Sequence, residues 1–394
     1  MKRSVGLTFL VTCAFLVAYG LYRLFFPSDF GSEQLVVGFV YEEDESTPYT
    51  LNFILAQKEL EKEFGGKIKV ITRNNCLESE TKETLEDLVL LDCGIIFVNS
   101  DSSQVLESSR KFPEVEFCQV SSERISTEDV PENYHTFNGE MYQAEYVAGV
   151  AAGMKLKSLI DSGAVSRDEA LVGYVATMRG PQARSNYTAF LLGVRSMVDS
   201  ATMRVRFLGS RSNFTKERSL AKALIDEGCI IVAHNTHTYG VVFSCEKEGQ
   251  SRLLIHVGMN VSTIDRAPVT SLVSVRVNWA PYLIGAVRAV STYKEIEKVV
   301  HGNVHGQDVS GGFAEGWLEI TELNTNVAAY GTKKVMDQVV EDIKNGKQKV
   351  FEGDYLGMDP NGAATYDLRR GFWENESSSV PSWNYVLQDV VIEE

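Results

Sequence analysis

From residue 35 onward, short runs of β-branched and aromatic residues alternate with longer amphipathic stretches. Residues 35–41, 68–72, 94–99 and 115–120 form a first set of runs; 171–176, 203–208, 230–234, 253–258 and 270–277 form a second. Most are near-continuously apolar, the pattern of strands buried on both faces. Between them, residues 50–64, 102–111, 139–157, 182–198, 216–227 and 281–300 carry helical patterns. In 139–157, Met141, Ala144, Ala148, Ala151 and Met154 keep the spacing of one helical face, with Asn138 placed as N-cap and Glu140 in the first turn. This alternation predicts an α/β fold with parallel sheets built from right-handed crossovers, and two strand groups predict two sheets. In open parallel sheets ligands sit beyond the carboxyl ends of the strands, so two facing sheets predict a cleft between two lobes. The predicted crossovers lie near 137–140, 268–278 and 303–312. The predicted divisions are an N-terminal segment 1–32, a first lobe of 33–138 with 275–305, and a second of 139–274 with 306–394.

The N-terminal segment changes where this fold is expected to work. Lys2 and Arg3 precede an uncharged stretch from Val5 to Tyr22, followed by Arg23 and Leu24-Phe25-Phe26. Positive charge before an apolar core is the pattern of a signal peptide or signal anchor. The stretch approaches the ~20 residues that span hydrocarbon, and the leading charges keep that end cytoplasmic. The expectation is an exported domain outside the cytoplasm, held at the cell membrane by residues 5–26. Cleavage after Ala18-Tyr19-Gly20 and a lipid on Cys13 are the alternatives. The formal net charge of −15 opposes phosphate backbones, so no nucleic-acid partner is expected. Cys76, Cys93, Cys118, Cys229 and Cys245 include no Cys-x-x-Cys pair and read as small buried apolar side chains.

The chain has no P-loop, Gly-x-Ser-x-Gly elbow, His-Glu-x-x-His or GxGxxG motif. His234 with His237, and His301 with His305, form spaced pairs, but a metal site needs further convergent ligands. Glu42, Glu43, Asp44 and Glu45 follow the first strand and read as a solvated acidic rim, with an acid–base pair as the rival reading. No catalytic residue, metal ligand or cofactor is therefore expected, and the protein reads as a non-enzyme.

Several segments, taken in order, resemble the basic membrane protein family, which includes purine-nucleoside receptor lipoproteins of ABC importers. They are Val37-Gly38-Phe39-Val40-Tyr41 with Tyr49-Thr50, the run from Phe137-Asn138-Gly139 to Gly153, and Val172-Gly173-Tyr174-Val175 with Pro181. Further on come Ala221 to Gly228, Asn278-Trp279-Ala280-Pro281-Tyr282, Phe351-Glu352-Gly353, and Asp359-Pro360-Asn361-Gly362. The resemblance covers nearly all of residues 35–394. It implies a type I periplasmic-binding fold with three crossovers, a nucleoside or nucleobase-like ligand, and an ABC permease as partner. Asp359 is carried over with the C-terminal loop. The chain departs from the family in its first loop, Asp44-Glu45-Ser46-Thr47-Pro48-Tyr49. It also departs after residue 258, where Asn260 stands near the place of the family's aspartate, and in lacking a lipobox.

The residues themselves fit that ligand. A purine stacks on an aromatic face, and Tyr49 stands in a strand–helix loop. Thr50, Asn52, Asn235, Thr236 and Asn260 offer amides and hydroxyls for base edges and sugar hydroxyls. Trp279 is a second stacking face or a hinge packing residue. The expected function is an extracytoplasmic substrate-binding protein of an ABC transporter that closes its lobes on a nucleoside or base. The alternative is a membrane-anchored sensor using the same fold without transport.

Overall fold

The structure, a computed structural model, describes residues 34–121 and 130–393. The apolar segment expected to tether the chain, residues 5–26, lies outside them, as does Cys13. No helix among the described residues is long and apolar enough to cross a membrane.

The chain begins with β1 (Leu35–Val40), α1 (Pro48–Phe64), β2 (Ile68–Arg73), α2 (Thr81–Leu90), β3 (Cys93–Val98), α3 (Ser103–Lys111), β4 (Glu116–Val120) and β5 (Tyr134–Gly139). It crosses into α4 (Tyr142–Asp161), β6 (Leu171–Ala176), α5 (Pro181–Arg195), β7 (Thr202–Phe207), α6 (Phe214–Asp226), β8 (Ile231–His234), α7 (Gly240–Gly249), β9 (Ile255–Met259) and β10 (Ser271–Val277). It returns through α8 (Ala280–Ser291), β11 (Asn303–His305) and β12 (Asp308–Gly311). The last crossing leads to β13 (Leu318–Ile320), α9 (Thr332–Lys344), β14 (Leu356–Met358), β15 (Thr365–Asp367), β16 (Val386–Leu387) and β17 (Val390–Glu393).

Two seven-stranded sheets result, ordered β11-β12-β5-β4-β3-β1-β2 and β13-β10-β9-β8-β6-β7-β17. Each is parallel apart from one edge strand, β11 in the first and β13 in the second. The chain passes between lobes three times, after β5, after β10 and after β12. The lobe boundary expected after residue 305 falls inside the β11–β12 hairpin, so Asp308–Gly311 pairs with β5 in the first sheet. A third, antiparallel sheet, β15-β14-β16, lies near the end of the chain. Trp383 ties this region to α5, its Nε1 donating to Thr188 Oγ1 at 3.2 Å.

Two helix expectations are corrected. Asn138 is no N-cap: it lies within β5, one residue before its end, and α4 starts only at Tyr142, after Met141. The segment Tyr-His-Thr-Phe-Asn-Gly lacks an apolar run, yet pairing with β4 and β12 on both sides makes it a fully buried strand. The helix expected to reach residue 300 ends at Ser291, where Tyr293 takes a φ of 53°. That left-handed backbone stops the helical ladder.

Helix α4 is buried continuously from Ala144 to Gly153, beyond the single apolar face expected of it. Its neighbour α5 approaches so closely that a Cβ on Gly149 would collide with the carbonyl of Phe190. Reciprocally, a Cβ on Gly193 would meet the carbonyl of Tyr146. The two lobes also touch directly: Leu51 and Leu55 of α1 pack on Tyr239, Val242, Val261 and Ala267 of the second lobe. The five cysteines among the described residues are buried and unpaired. In the first lobe, buried His135 bridges Glu116 (Nε2, 2.9 Å) and Glu297 (Nδ1, 2.6 Å). Burial pushes this imidazole's pKa down, but the bonds to the two carboxylates outweigh it and raise the value to about 9.

Candidate functional site

The carboxyl ends of both sheets face each other across a cavity of about 120 Å³. The first lobe supplies Tyr49 at the start of α1, Asn99 beyond β3, Ser121 beyond β4 and Asn138 near the end of β5. The second supplies Thr177, Arg211, Asn235, His237 and Asn260 from the loops after β6, β7, β8 and β9, with Asn186 from α5. Trp279 closes the hinge side. This is where open parallel sheets place their ligands, because polar backbone ends and loops converge there.

Tyr49 is held at three points. Its hydroxyl donates to the Asn99 carbonyl at 2.6 Å, and Phe53 meets it edge-on at 5.3 Å. Across the cleft, the imidazole of His237 stacks on it at 3.9 Å with only 10° between planes. Burial raises the Tyr49 hydroxyl above its ordinary range. Burial, and then the Arg211 charge, push His237 down to about 3, so the stacked imidazole is neutral. Glu42 of the first lobe pairs with Arg211 of the second at 3.5 Å. Burial raises the Glu42 carboxyl, and Arg211 partly offsets this.

Four of the eight residues expected to bind ligand line the cavity: Tyr49, Asn235, Asn260 and Trp279. Trp279 does not offer a stacking face. Its ring lies on Phe53 at 4.5 Å and 16°, with Phe137 set against it at 80°. What remains is its indole N–H, which has no hydrogen-bond partner among the described residues. The other four do not line the cavity. Thr50 is buried behind Asn99, whose Nδ2 reaches its hydroxyl at 3.5 Å. Asn52 serves the hinge, donating to the Val277 carbonyl at 2.8 Å. Thr236 turns inward to His234, Oγ1 to Nδ1 at 3.0 Å. Asp359 sits in the turn between β14 and β15, where it accepts the Asn361 N–H at 2.8 Å.

The histidine pair at 234 and 237 diverges. His234 stacks on His256 inside the second lobe, while His237 faces the cleft. In the acidic loop, Asp44 accepts from Ser46 N and Asn75 Nδ2, which lower its pKa and shape the turn. Sequence reasoning missed Asn99, Asn138, Asn186, Arg211 and His237 as cleft residues. Asn99 and Asn138 carried a usable signal, a polar side chain at a strand's carboxyl end. Arg211 and Asn186 carried none.

Comparison with known proteins agrees with this geometry. Residues 38–350 match the family model Bmp, described as ABC transporter substrate-binding protein PnrA-like. A Brucella abortus protein named as a purine-binding protein is 25% identical over 331 residues, 83% of this chain and 86% of its own length. A solute-binding protein of an ABC transporter system from Aeropyrum pernix K1 superposes with a TM-score of 0.62 at 13% identity, covering 79% of this chain and 92% of that one. A transcriptional activator of the comK gene from Bacillus halodurans gives 0.61 at 16% identity, covering 79% and 99%. Such low identities speak to fold alone, and the two neighbours carry different descriptions, so fold does not decide function. The architecture is the type I periplasmic-binding fold, two lobes with three crossovers. With the family model spanning residues 38–350, this chain belongs to the Bmp family of PnrA-like substrate-binding proteins of ABC transporters.

Proposed function

We propose that this protein captures a purine base or nucleoside in the inter-lobe cleft, outside the cytoplasm, and delivers it to an ABC permease. The observation that carries the reading is the aromatic stack of Tyr49 and His237 beside buried amides without partners. A face that accepts a flat imidazole at 3.9 Å accepts a flat heterocycle equally well. Buried amides without partners are costly unless a ligand supplies their hydrogen bonds. The cavity of about 120 Å³ suits a compact ligand, since drug-sized sites run from about 300 to 1,000 Å³. The name of the Brucella abortus relative points the same way. The leading Lys2 and Arg3 with the apolar stretch after them support export and tethering.

The test is thermal unfolding of refolded, ligand-free protein against a panel of purine and pyrimidine bases and nucleosides. A ligand that binds only the folded state must raise the melting temperature. At least one purine is expected to do so. No shift with any member of the panel would overturn the reading.

A further inference from the structure

We infer that the cleft reads its ligand mainly through the ligand's acceptor atoms, and that it prefers an oxopurine, with a ring carbonyl, to an aminopurine. The inference rests on the purine reading above and deepens it. It comes from which ends of the cleft's polar side chains are already in use.

Asn99 and Asn235 hold matching positions in the two lobes, one residue beyond β3 and one beyond β8. Asn99 Oδ1 accepts the backbone N–H of Glu42 at 2.9 Å, beyond β1. Asn235 Oδ1 accepts that of Thr177 at 2.9 Å, beyond β6. Each side chain thus bridges to the neighbouring strand's end. An amide whose oxygen is tied to a backbone N–H cannot flip, so its NH₂ end has a fixed role. Asn99 Nδ2 reaches Thr50, but Asn235 Nδ2 has no partner among the described residues.

Trp279 supplies a second fixed donor. It is 3% exposed, its indole N–H has no partner among the described residues, and indole nitrogen never accepts. Packing of its ring by Phe53 and Phe137 leaves only that edge to act. The guanidinium of Arg211, also on the cleft, is donor-only as well, with one arm already on Glu42 at 3.5 Å. Asn186 and Asn260, 3% and 5% exposed, have unpartnered amide atoms but can turn either end to a ligand. They adapt; Asn235, Trp279 and Arg211 do not.

A ring carbonyl gives any one of these fixed donors an oxygen to bond. An exocyclic amine at the same place sets donor against donor and leaves a buried N–H unmet. The site therefore discriminates by refusing the amine as much as by holding the carbonyl.

Hypoxanthine and adenine test this, because they differ in that exocyclic group and the adjoining ring proton. Titration calorimetry on refolded, ligand-free protein should show hypoxanthine binding about tenfold tighter or more. Asn235→Asp keeps an oxygen for the Thr177 N–H and turns the free donor into an acceptor. It should shift the hypoxanthine-to-adenine ratio toward adenine by about tenfold or more. Trp279→Phe keeps the packing, removes the donor, and should shrink the same ratio, so the test survives if either variant folds poorly. Equal or tighter binding of adenine by the unaltered protein would overturn the inference while leaving the purine reading intact. So would a ratio unchanged in both variants. Failure of every base and nucleoside to bind would remove the purine reading, and this inference with it.

Discussion

Replacing Tyr49 and His237 one at a time should move ligand affinity in opposite directions. The stack at 3.9 Å and 10° leaves no room for a third ring between them. A ligand that uses the same face of Tyr49 must displace the imidazole. Base–aromatic stacking contributes about 1–3 kcal/mol, but Tyr49→Ala also removes the imidazole stack that the ligand must displace, so the variant should weaken binding by the difference, roughly 1 kcal/mol or about fivefold. The stack the ligand displaces contributes about 0.5–1.5 kcal/mol, so His237→Ala should tighten binding by roughly 2- to 13-fold. Tyr49→Phe isolates the hydroxyl. It keeps the face but removes the 2.6 Å bond to the Asn99 carbonyl, a loss of about 1 kcal/mol in stability. Calorimetric titration of the three variants, beside their melts without ligand, separates packing from recognition. Unchanged affinity in Tyr49→Ala would refute the stacking argument. Weaker binding in His237→Ala would show that the imidazole is part of the bound site and not its competitor.

Three further outcomes follow from structure and sequence. His135, raised to about 9 by Glu116 and Glu297, binds its proton more tightly folded than unfolded, so its stabilisation is full below about pH 6.5 and fades as pH rises through about 9. His135→Gln should therefore lower the melting temperature clearly at pH 6 and little at pH 10; an equal loss at both would remove the ion-bridge account. Gly149→Ala, which drives a methyl into the Phe190 carbonyl, should cost about 1–3 kcal/mol by overpacking, read as a lower urea midpoint, and a neutral effect would mean that α4 and α5 part easily. Protease added to intact cells should digest the domain while the membrane stays sealed, and full protection would reject export.

The central strands were legible because burial on both faces demands continuous apolar runs, as in Ile231–His234 and Ile255–Met259. Edge and late strands such as Asn303–His305 and Thr365–Asp367 were not, because half-exposed short strands carry no such run. β5 escaped for a different reason: its Asn138 looks like a helix cap until neighbours on both sides make it a strand. Asn235 and Asn260 follow from the rule that polar residues beyond strand ends face the cleft, and both line the cavity. Asn99 obeys the same rule but was read as the strand's last residue. Thr50 lies off the lining because one helical step from Tyr49 turns its side chain away from the cleft, whereas Asn52, three steps on and near the same face, is taken up by the Val277 carbonyl. Arg211 and His237 reach the site through loop paths that no local pattern encodes.

The contact of Leu51 and Leu55 with Tyr239, Val242, Val261 and Ala267 has a consequence in time rather than in affinity. An apolar strip between the lobes holds them together whether or not anything lies inside, since it involves no ligand atom. Entry then has to wait for the strip to part. At low concentration the association rate rises in proportion to ligand; at high concentration it levels off at the rate of spontaneous opening. The same strip delays escape. Filling and emptying of the cleft are then expected to share one clock, set by four residues on one lobe and two leucines on the other.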